Sequence, residues 1–409
     1  MRILYYTTEF PSLSQTFVLA QIKGMLDKNL VVDVLSKNTG QGVQFNDPSV
    51  NPLGDKVMYF PNIKGLFIER QFKKAIYVLR KLMRNRKLID LINPIKYGRD
   101  AISLNLAVEG ITFYELGSYD ILHCQFGMLG KSAILLRNLG LVNGKIVISF
   151  RGYDLPKFLK QKRPDLYQEL FRSADLLLPV CEYFMHRMIE LGCNHNKILV
   201  HRSGVNTEQL HFSERKLCES EELRLLVVGR MVEKKGFKYA IKGLALAKRI
   251  IPLTIDLRVV GDGPLRADLE TLVSELGLTD SVVFTGTKRH AEVIQEMTNA
   301  HILLAPSVTT ADGDQEGIPN VLKEAMATGL PVIATRHSGI PELVEDGVSG
   351  LLIEEKDITG IAEAIGKLIN WQDRWGEMGK AGREMVLRDY NSAMLNEQLY
   401  GIYRSLVKK

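Results

Sequence analysis

L-R-L-L-V-V-G-R-M-V-E-K-K-G, residues 223–236, decides the fold. A short, largely apolar run ends in glycine, a basic loop follows, a second glycine closes it, and helix-like spacing continues to about Lys248. A strand with little polar alternation suits burial on both faces, as in a parallel sheet covered by helices. The pattern recurs downstream. V-V-G-D-G-P-L (259–265) ends a strand expected over 255–260, further strands are expected over 282–285 and 302–305, and G-L-P-V-I-A-T (329–335) ends a helix at Gly329 before a buried strand over 332–334.

Upstream, strands are expected over 3–7, 31–35, 121–124, 146–150 and 176–180, with helices over 16–27 and 130–139. A last strand over 198–201 leads to R-S-G-V-N, where Gly204 can turn the chain. Two successive strand–helix alternations argue for two α/β units, and 409 residues suffice for two ordinary domains. Residues 1–210 form the first and 211–385 the second, with the polar stretch 211–222 as connection. The segment 386–409 contains a helix, 391–406, that can pack against either half, a return to the N-terminal domain included.

The composition is that of a globular protein, 45% hydrophobic and 24% charged. The net charge of +6 is unevenly spread. E-R-Q-F-K-K-A-I-Y-V-L-R-K-L-M-R-N-R-K (69–87) holds eight basic residues and one acid, interleaved with Phe72, Ile76, Tyr77, Leu79 and Met83. Helical spacing gives this segment a basic side and an apolar side, with Leu79 and Met83 expected on the packed side. It reads as a surface helix, as a peripheral contact to an anionic membrane through Arg70, Lys73, Lys74, Arg80, Lys81, Arg84, Arg86 and Lys87, or as a segment that attracts a phosphate-bearing acceptor. No aromatic-basic platform accompanies the charge, so nucleic acid is not an expected partner. Cys124, Cys181, Cys193 and Cys218 show no metal-ligand spacing and read as cytoplasmic thiols. No apolar run is long enough to span a bilayer and no signal peptide is read at Met1-Arg2. The expected location is cytoplasmic, with peripheral contact on the inner face of the cytoplasmic membrane.

D-Q-E-G-I-P-N-V-L-K-E-A-M-A, residues 314–327, carries two carboxylates across a loop-to-helix junction. A helix starting near Pro319 places Glu316 just before its N-terminus and Glu324 about a turn inside. Free N–H groups at Gly317, Ile318 and Asn320 could meet a phosphate while the carboxylates accept from sugar hydroxyls; the plainer alternative for Glu324 is a solvated helix residue. Arg230 and Lys235 stand on the loop after the strand 223–228. Gly229 and Gly236 permit its turns, and the two cations could embrace a diphosphate, Lys235 being preferred to its neighbour Lys234. Gly261 and Gly263 shape the same cleft or serve folding alone; Arg266 replaces the third glycine of a dinucleotide loop, which disfavours that reading. F-T-G-T (284–287), Thr287 included, could offer groups to a nucleobase. Asp312-Gly313-Asp314 could suggest a metal, but the basic clamp makes one unnecessary: no metal and no cofactor are expected.

Taken in order, G-R-M-V-E-K-K-G, V-V-G-D-G-P, F-T-G, E-G-I-P-N-V-L-K-E-A and G-L-P-V-I-A-T resemble the retaining glycosyltransferases of family four (group 1) over nearly the full chain. The resemblance implies GT-B architecture, an α/β fold of two Rossmann-like domains facing across a cleft. It implies donor-phosphate contacts for Arg230 and Lys235, a donor-sugar contact for Glu316 and a ribose contact for Glu324. T-E-F-P-S-L-S-Q-T-F-V-L-A-Q-I (8–22) more narrowly resembles bacterial enzymes of exopolysaccharide, capsule or lipopolysaccharide synthesis, with Ser14, Gln15 and Thr16 in place of a glycine-rich loop. His123 resembles the first histidine of the family's H-x-H, Gln125 replacing the second. That implies contact with donor sugar or acceptor, a buried hydrogen-bonded histidine being the alternative. In S-F-R-G-Y-D (149–154) Arg151 replaces a family histidine, which suits an anionic acceptor.

The implied reaction moves a hexose or related sugar from a nucleotide diphosphate, a UDP-sugar being expected, to a saccharide or a polyprenyl-diphosphate-linked acceptor. Configuration is retained by same-face substitution, the departing phosphate taking the acceptor proton while Arg230 and Lys235 stabilise it. The alternatives are a sugar-nucleotide epimerase or phosphorylase on the same architecture, and an inactive carbohydrate- or membrane-binding module.

Overall fold

The computed structural model describes residues 1–12, 16–40, 51–61, 63, 66–82, 86–152, 155, 167–217 and 222–408. Ser14, Gln15, Met83, Arg84, Asp154 and Cys218 lie outside them, as do the side chains of Arg86 and Lys87. The first sheet contains β1 (Arg2–Phe10), β2 (Val31–Thr39), β3 (Val57–Tyr59), β4 (Ile121–Cys124), β5 (Lys145–Phe150) and β6 (Leu176–Pro179), in the order β3-β2-β1-β4-β5-β6. The second contains β7 (Leu223–Val228), β8 (Ile255–Val260), β9 (Val282–Gly286), β10 (Ile302–Ala305), β11 (Val332–Thr335) and β12 (Leu351–Ile353), in the order β12-β11-β10-β7-β8-β9. Every pairing is parallel.

Both sheets follow one doubly wound path: out from the centre to one edge, then back beside the first strand and out to the other. Loops leaving β7 and β10 therefore diverge from adjacent strands and open a crevice at their carboxyl ends. The two sheets face across a cleft in a GT-B arrangement. The central strands β4 and β10 are wholly buried. Three elements differ from expectation at the edges. β3 and β12 are three residues each, too short to show a period, and 198–201 forms only a bridge from Ile198 to Leu177 beside β6.

The helix Ser392–Lys408 packs on the N-terminal domain. Leu399 and Tyr403 are fully buried among Ile3, Tyr5, Ile121 and Val147, and Asn396 donates to the Ala20 carbonyl at 3.1 Å. A second tie crosses the seam, where the Glu342 carboxylate accepts the backbone N–H groups of Glu182 and Tyr183, each at 2.9 Å, with Arg202 at 3.6 Å.

The basic helix Phe67–Leu82 is turned the other way from its expected packing. Ile68, Phe72 and Leu79 are 82%, 67% and 60% exposed, whereas Val78 is buried and Lys74 and Lys81 reach inward. The reason is the neighbour: the helix Asn105–Leu116 offers Glu115 to Lys81 and Asn105 to Lys74, polar partners that draw long cationic side chains across the contact.

If the last helix is part of the N-terminal core, Leu399→Ala should destabilise the protein by about 2–5 kcal/mol. Urea denaturation followed by far-UV circular dichroism measures this; an unchanged midpoint would show the helix to be dispensable.

Candidate active site

The loop after β7 makes one tight turn, Glu233–Lys235, before Gly236, whose φ of +67° suits glycine. A Cβ at Gly236 would also collide with the Pro306 carbonyl oxygen, so the loop is pressed onto the segment after β10. That closeness brings both lysines to one carboxylate. Lys235 Nζ lies 3.1 Å from Glu316 Oε2 and Lys234 Nζ 3.3 Å from Glu316 Oε1, while Lys234 also reaches Asp314 Oδ1 at 3.2 Å. Lys234, set aside in favour of Lys235 on sequence grounds, is therefore a full member of the cluster. In a tight helical turn consecutive side chains diverge enough to approach one carboxylate from two sides.

The Glu316 side chain is only 15% exposed. Burial by itself would raise its pKa, but the Lys235 and Lys234 ammonium groups outweigh burial and hold it at about 2. The loop is fixed from behind. The backbone N–H of Glu316 donates to His337 Nε2 at 3.0 Å, so the ring proton resides on Nδ1, which donates to Glu355 at 2.5 Å. Glu355 also accepts from the backbone and hydroxyl of Thr309, at 2.7 and 3.0 Å. His337 and Glu355 are site-building residues that sequence reasoning missed; the only signal available was a histidine just beyond the strand that follows the Glu324 helix.

The helix Asn320–Ala327 begins where expected, with Pro319 as its cap residue. The N–H groups of Gly317, Ile318 and Asn320 have no hydrogen-bond partner among the described residues, which leaves donors beside Glu316. Glu324, one turn in, accepts from His290 Nε2 at 3.2 Å, and that bond pulls the His290 pKa up. Lys323 beside it is fully buried, with Nζ 2.6 Å from the Ser203 carbonyl and 2.8 Å from Asn320 Oδ1; burial brings its pKa down to about 7 against the opposing pull of Glu324. Arg230 is exposed at the start of the clamp loop.

Gly261 and Gly263 serve backbone packing: a Cβ at either would strike the clamp loop, at Gly229 or Met231, and Met231 N–H donates to the Asp262 carbonyl at 2.8 Å. Thr287 is exposed beyond β9. His123 is not brought to this cluster. It is fully buried, with Nδ1 2.5 Å from the Tyr403 hydroxyl and Nε2 2.8 Å from the Ser149 hydroxyl, and burial drives its pKa well down. Both nitrogens are committed to internal partners, so the expected contact with sugar or acceptor is replaced by a bond that holds the last helix. On the N-terminal side of the seam, Arg151 donates to Gln21 at 3.0 Å and Gln125 at 2.9 Å and covers the Phe17 ring.

Residues 209–385 match the family model described as glycosyl transferases group 1. A putative colanic acid biosynthesis glycosyltransferase, WcaL, of Escherichia coli K12 is 33% identical over 414 residues, covering 99% of this chain and 100% of the relative. The chain belongs to the group 1 glycosyltransferases. An amylovoran biosynthesis glycosyltransferase, AmsK, of Erwinia amylovora is 32% identical to this glycosyltransferase over 99% of the chain and 100% of the relative. In fold, the glycosyltransferase is similar to the solved structure of the Anabaena protein HepE in complex with UDP, with a TM-score of 0.73 at 18% identity over 99% of this chain and 100% of that one.

The Glu316 cluster carries a pH signature. Its folded pKa, about 2, lies below the ordinary 4.5, so its stabilisation is complete above 4.5 and is lost as pH falls towards 2. Wild type should therefore lose stability more steeply than Glu316→Gln across that window, measured by urea midpoints; parallel slopes would contradict the assigned ion pairs.

Proposed function

We propose that this glycosyltransferase moves a hexose or related sugar from UDP to a hydroxyl of a saccharide carried on a polyprenyl diphosphate, with retention, during bacterial surface-polysaccharide synthesis at the inner face of the cytoplasmic membrane. The observation that carries the reading is the buried Glu316 carboxylate saddled by Lys234 and Lys235 beside three unused N–H groups. Relatives named for colanic acid and amylovoran biosynthesis match along their whole length, and the solved structure of HepE is a complex with UDP, which supports the polymer context and the donor base.

The clamp works by exchange of partners. An arriving diphosphate draws Lys235 from Glu316 and meets Arg230 and the free N–H groups, while Lys234 keeps Asp314 and Glu316 in place. Charge that grows on the departing phosphate is then met by cations already fixed there, which lowers the barrier more than it strengthens binding. Glu316 stays ionised and accepts from the sugar hydroxyls. With its pKa held at about 2 it is a poor base and a poor nucleophile. Same-face substitution follows: the bond from the anomeric carbon to the phosphate oxygen breaks, the acceptor oxygen bonds on that face, and its proton passes to the phosphate. Glu324, with His290, holds the ribose. Among the described residues no helix is long and apolar enough to cross a membrane, and contact is assigned to the exposed Ile68, Phe72 and Leu79 with flanking Lys73 and Arg80.

Arg230→Ala and Lys235→Ala should each reduce transfer roughly tenfold or more with circular dichroism unchanged, since a charge-assisted contact contributes about 1.5–3 kcal/mol. Steady-state assays over UDP- and GDP-sugars test this, and near-wild-type turnover in both variants would remove the clamp. Glu324→Gln should weaken UDP and UDP-sugar alike in calorimetry; undiminished affinity for both would take the ribose from Glu324.

A further inference from the structure

The helix Glu182–Glu190 follows β6 in the N-terminal domain without a side-chain cap of its own. Cys181 stands at its cap position and makes no cap bond, and a thiol is a poor acceptor for backbone N–H groups. The acceptor comes from the other domain instead. Glu342 takes the N–H of Glu182 on Oε2 and that of Tyr183 on Oε1, each at 2.9 Å. A carboxylate suits that place twice over: it satisfies two first-turn donors, and its charge meets the positive end of the helix dipole. The Glu342 side chain is only 18% exposed, so water competes little for these bonds, and Arg202 lies 3.6 Å from Oε2 as a counter-charge.

Glu342 is also wedged against the Glu316 loop. It ends the turn Ile340–Glu342, which follows Gly339. A Cβ on Gly339 would lie 2.8 Å from Cys181 Cβ and 2.9 Å from Ile318 Cγ1, so this segment fills the space between the helix start and the loop. The Tyr390 hydroxyl donates to the Glu342 carbonyl at 3.4 Å and holds the turn from behind.

A second set of contacts meets the same helix start. Gln315 donates from Nε2 to Thr309 Oγ1 at 3.0 Å and to the Tyr183 hydroxyl at 3.4 Å. Thr309 gives its own proton to Glu355, which also accepts from His337, and His337 accepts the Glu316 N–H. These five residues form a ring that closes through the peptide bond between Gln315 and Glu316. The ring reaches the N-terminal domain at Tyr183, whose backbone N–H is held by Glu342.

We propose that Glu342 is a positioning residue of the transfer reaction: by capping a helix of the opposite domain, it fixes the N-terminal domain against the Glu316 ring in the register that transfer requires. The proposal rests on the reading of Glu316 as the donor-sugar contact, with the acceptor brought by the N-terminal domain. Nucleotide binding does not depend on the cap, because Lys234, Lys235 and Glu324 all stand on the second domain. A small misplacement between sugar and acceptor, by contrast, lowers turnover steeply.

The test uses the full chain and three variants. Glu342→Ala removes the cap, Glu342→Gln keeps one acceptor oxygen for it, and Tyr183→Phe removes only the hydroxyl. In Glu342→Ala the amides of Glu182, Tyr183 and Glu316 should exchange hydrogen roughly tenfold faster, with Glu342→Gln in between. UDP affinity by calorimetry should stay within about twofold of wild type, while kcat falls roughly tenfold or more at a nearly unchanged KM for the UDP-sugar, and Glu342→Gln recovers part of it. Faster exchange at Glu182 and Tyr183 with Glu316 unchanged would leave Glu342 a helix cap only and overturn the positioning role, as would an unchanged kcat. UDP affinity lowered in step with kcat would assign Glu342 to the nucleotide site and overturn it too. Thermal melts identify a variant that fails to fold; if Glu342→Ala is lost, Glu342→Gln decides, with Tyr183→Phe expected to speed exchange at Glu316 and not at Glu182. Absent UDP binding in the wild type strikes the donor reading, and the Glu316 exchange comparison still decides the reach of the cap.

Discussion

Two ammonium groups share one buried carboxylate at Glu316, and the surrounding architecture follows from making that contact possible. A mostly buried carboxylate without partners would take up a proton or disrupt the fold. Lys234 and Lys235 must therefore arrive together, which requires their loop to leave β7 beside the loop that leaves β10. The doubly wound strand order supplies that adjacency, since β7 and β10 are neighbours although β8 and β9 intervene in sequence. Asp314 completes the balance: two lysines, two carboxylates and no net charge until a ligand enters.

The loop bearing Glu316 is also where the domains meet. A side chain at Gly317 would press on Val180 and the Arg151 carbonyl of the N-terminal domain, and one at Gly339 would press on Cys181. Lys323 reaches Ser203 from the same helix that carries Glu324, and Glu342 caps the helix Glu182–Glu190. Glu316 and Glu324 are thus mounted on elements that touch the N-terminal domain. The last helix secures the other end by returning to the first sheet through Leu399, Tyr403 and His123.

Much of this was legible. Central strands announced themselves through short apolar runs, and the placement of Glu316 before and Glu324 within a helix followed from a helix start near Pro319. Edge strands of three residues carry too little pattern to read. The support behind Glu316 was hidden because His337 lies 21 residues away and bonds to a backbone group, for which side-chain spacing has no signature. His123 misled for a related reason: its position resembles a family motif, whereas its role is set by a tyrosine 280 residues distant. In the basic helix the period was readable but its orientation was not, since that depends on whether the neighbouring surface is apolar or, as here, offers Asn105 and Glu115.

A crystal structure with a bound UDP-sugar tests the central claim most directly, through the distances from Lys235 Nζ. The account predicts that Lys235 leaves Glu316 Oε2 for the diphosphate, that Arg230 closes on the same group, and that Glu316 accepts from the sugar hydroxyls with Lys234 still in place. A diphosphate bound elsewhere, with Lys235 and Glu316 still paired as in the free protein, would contradict it.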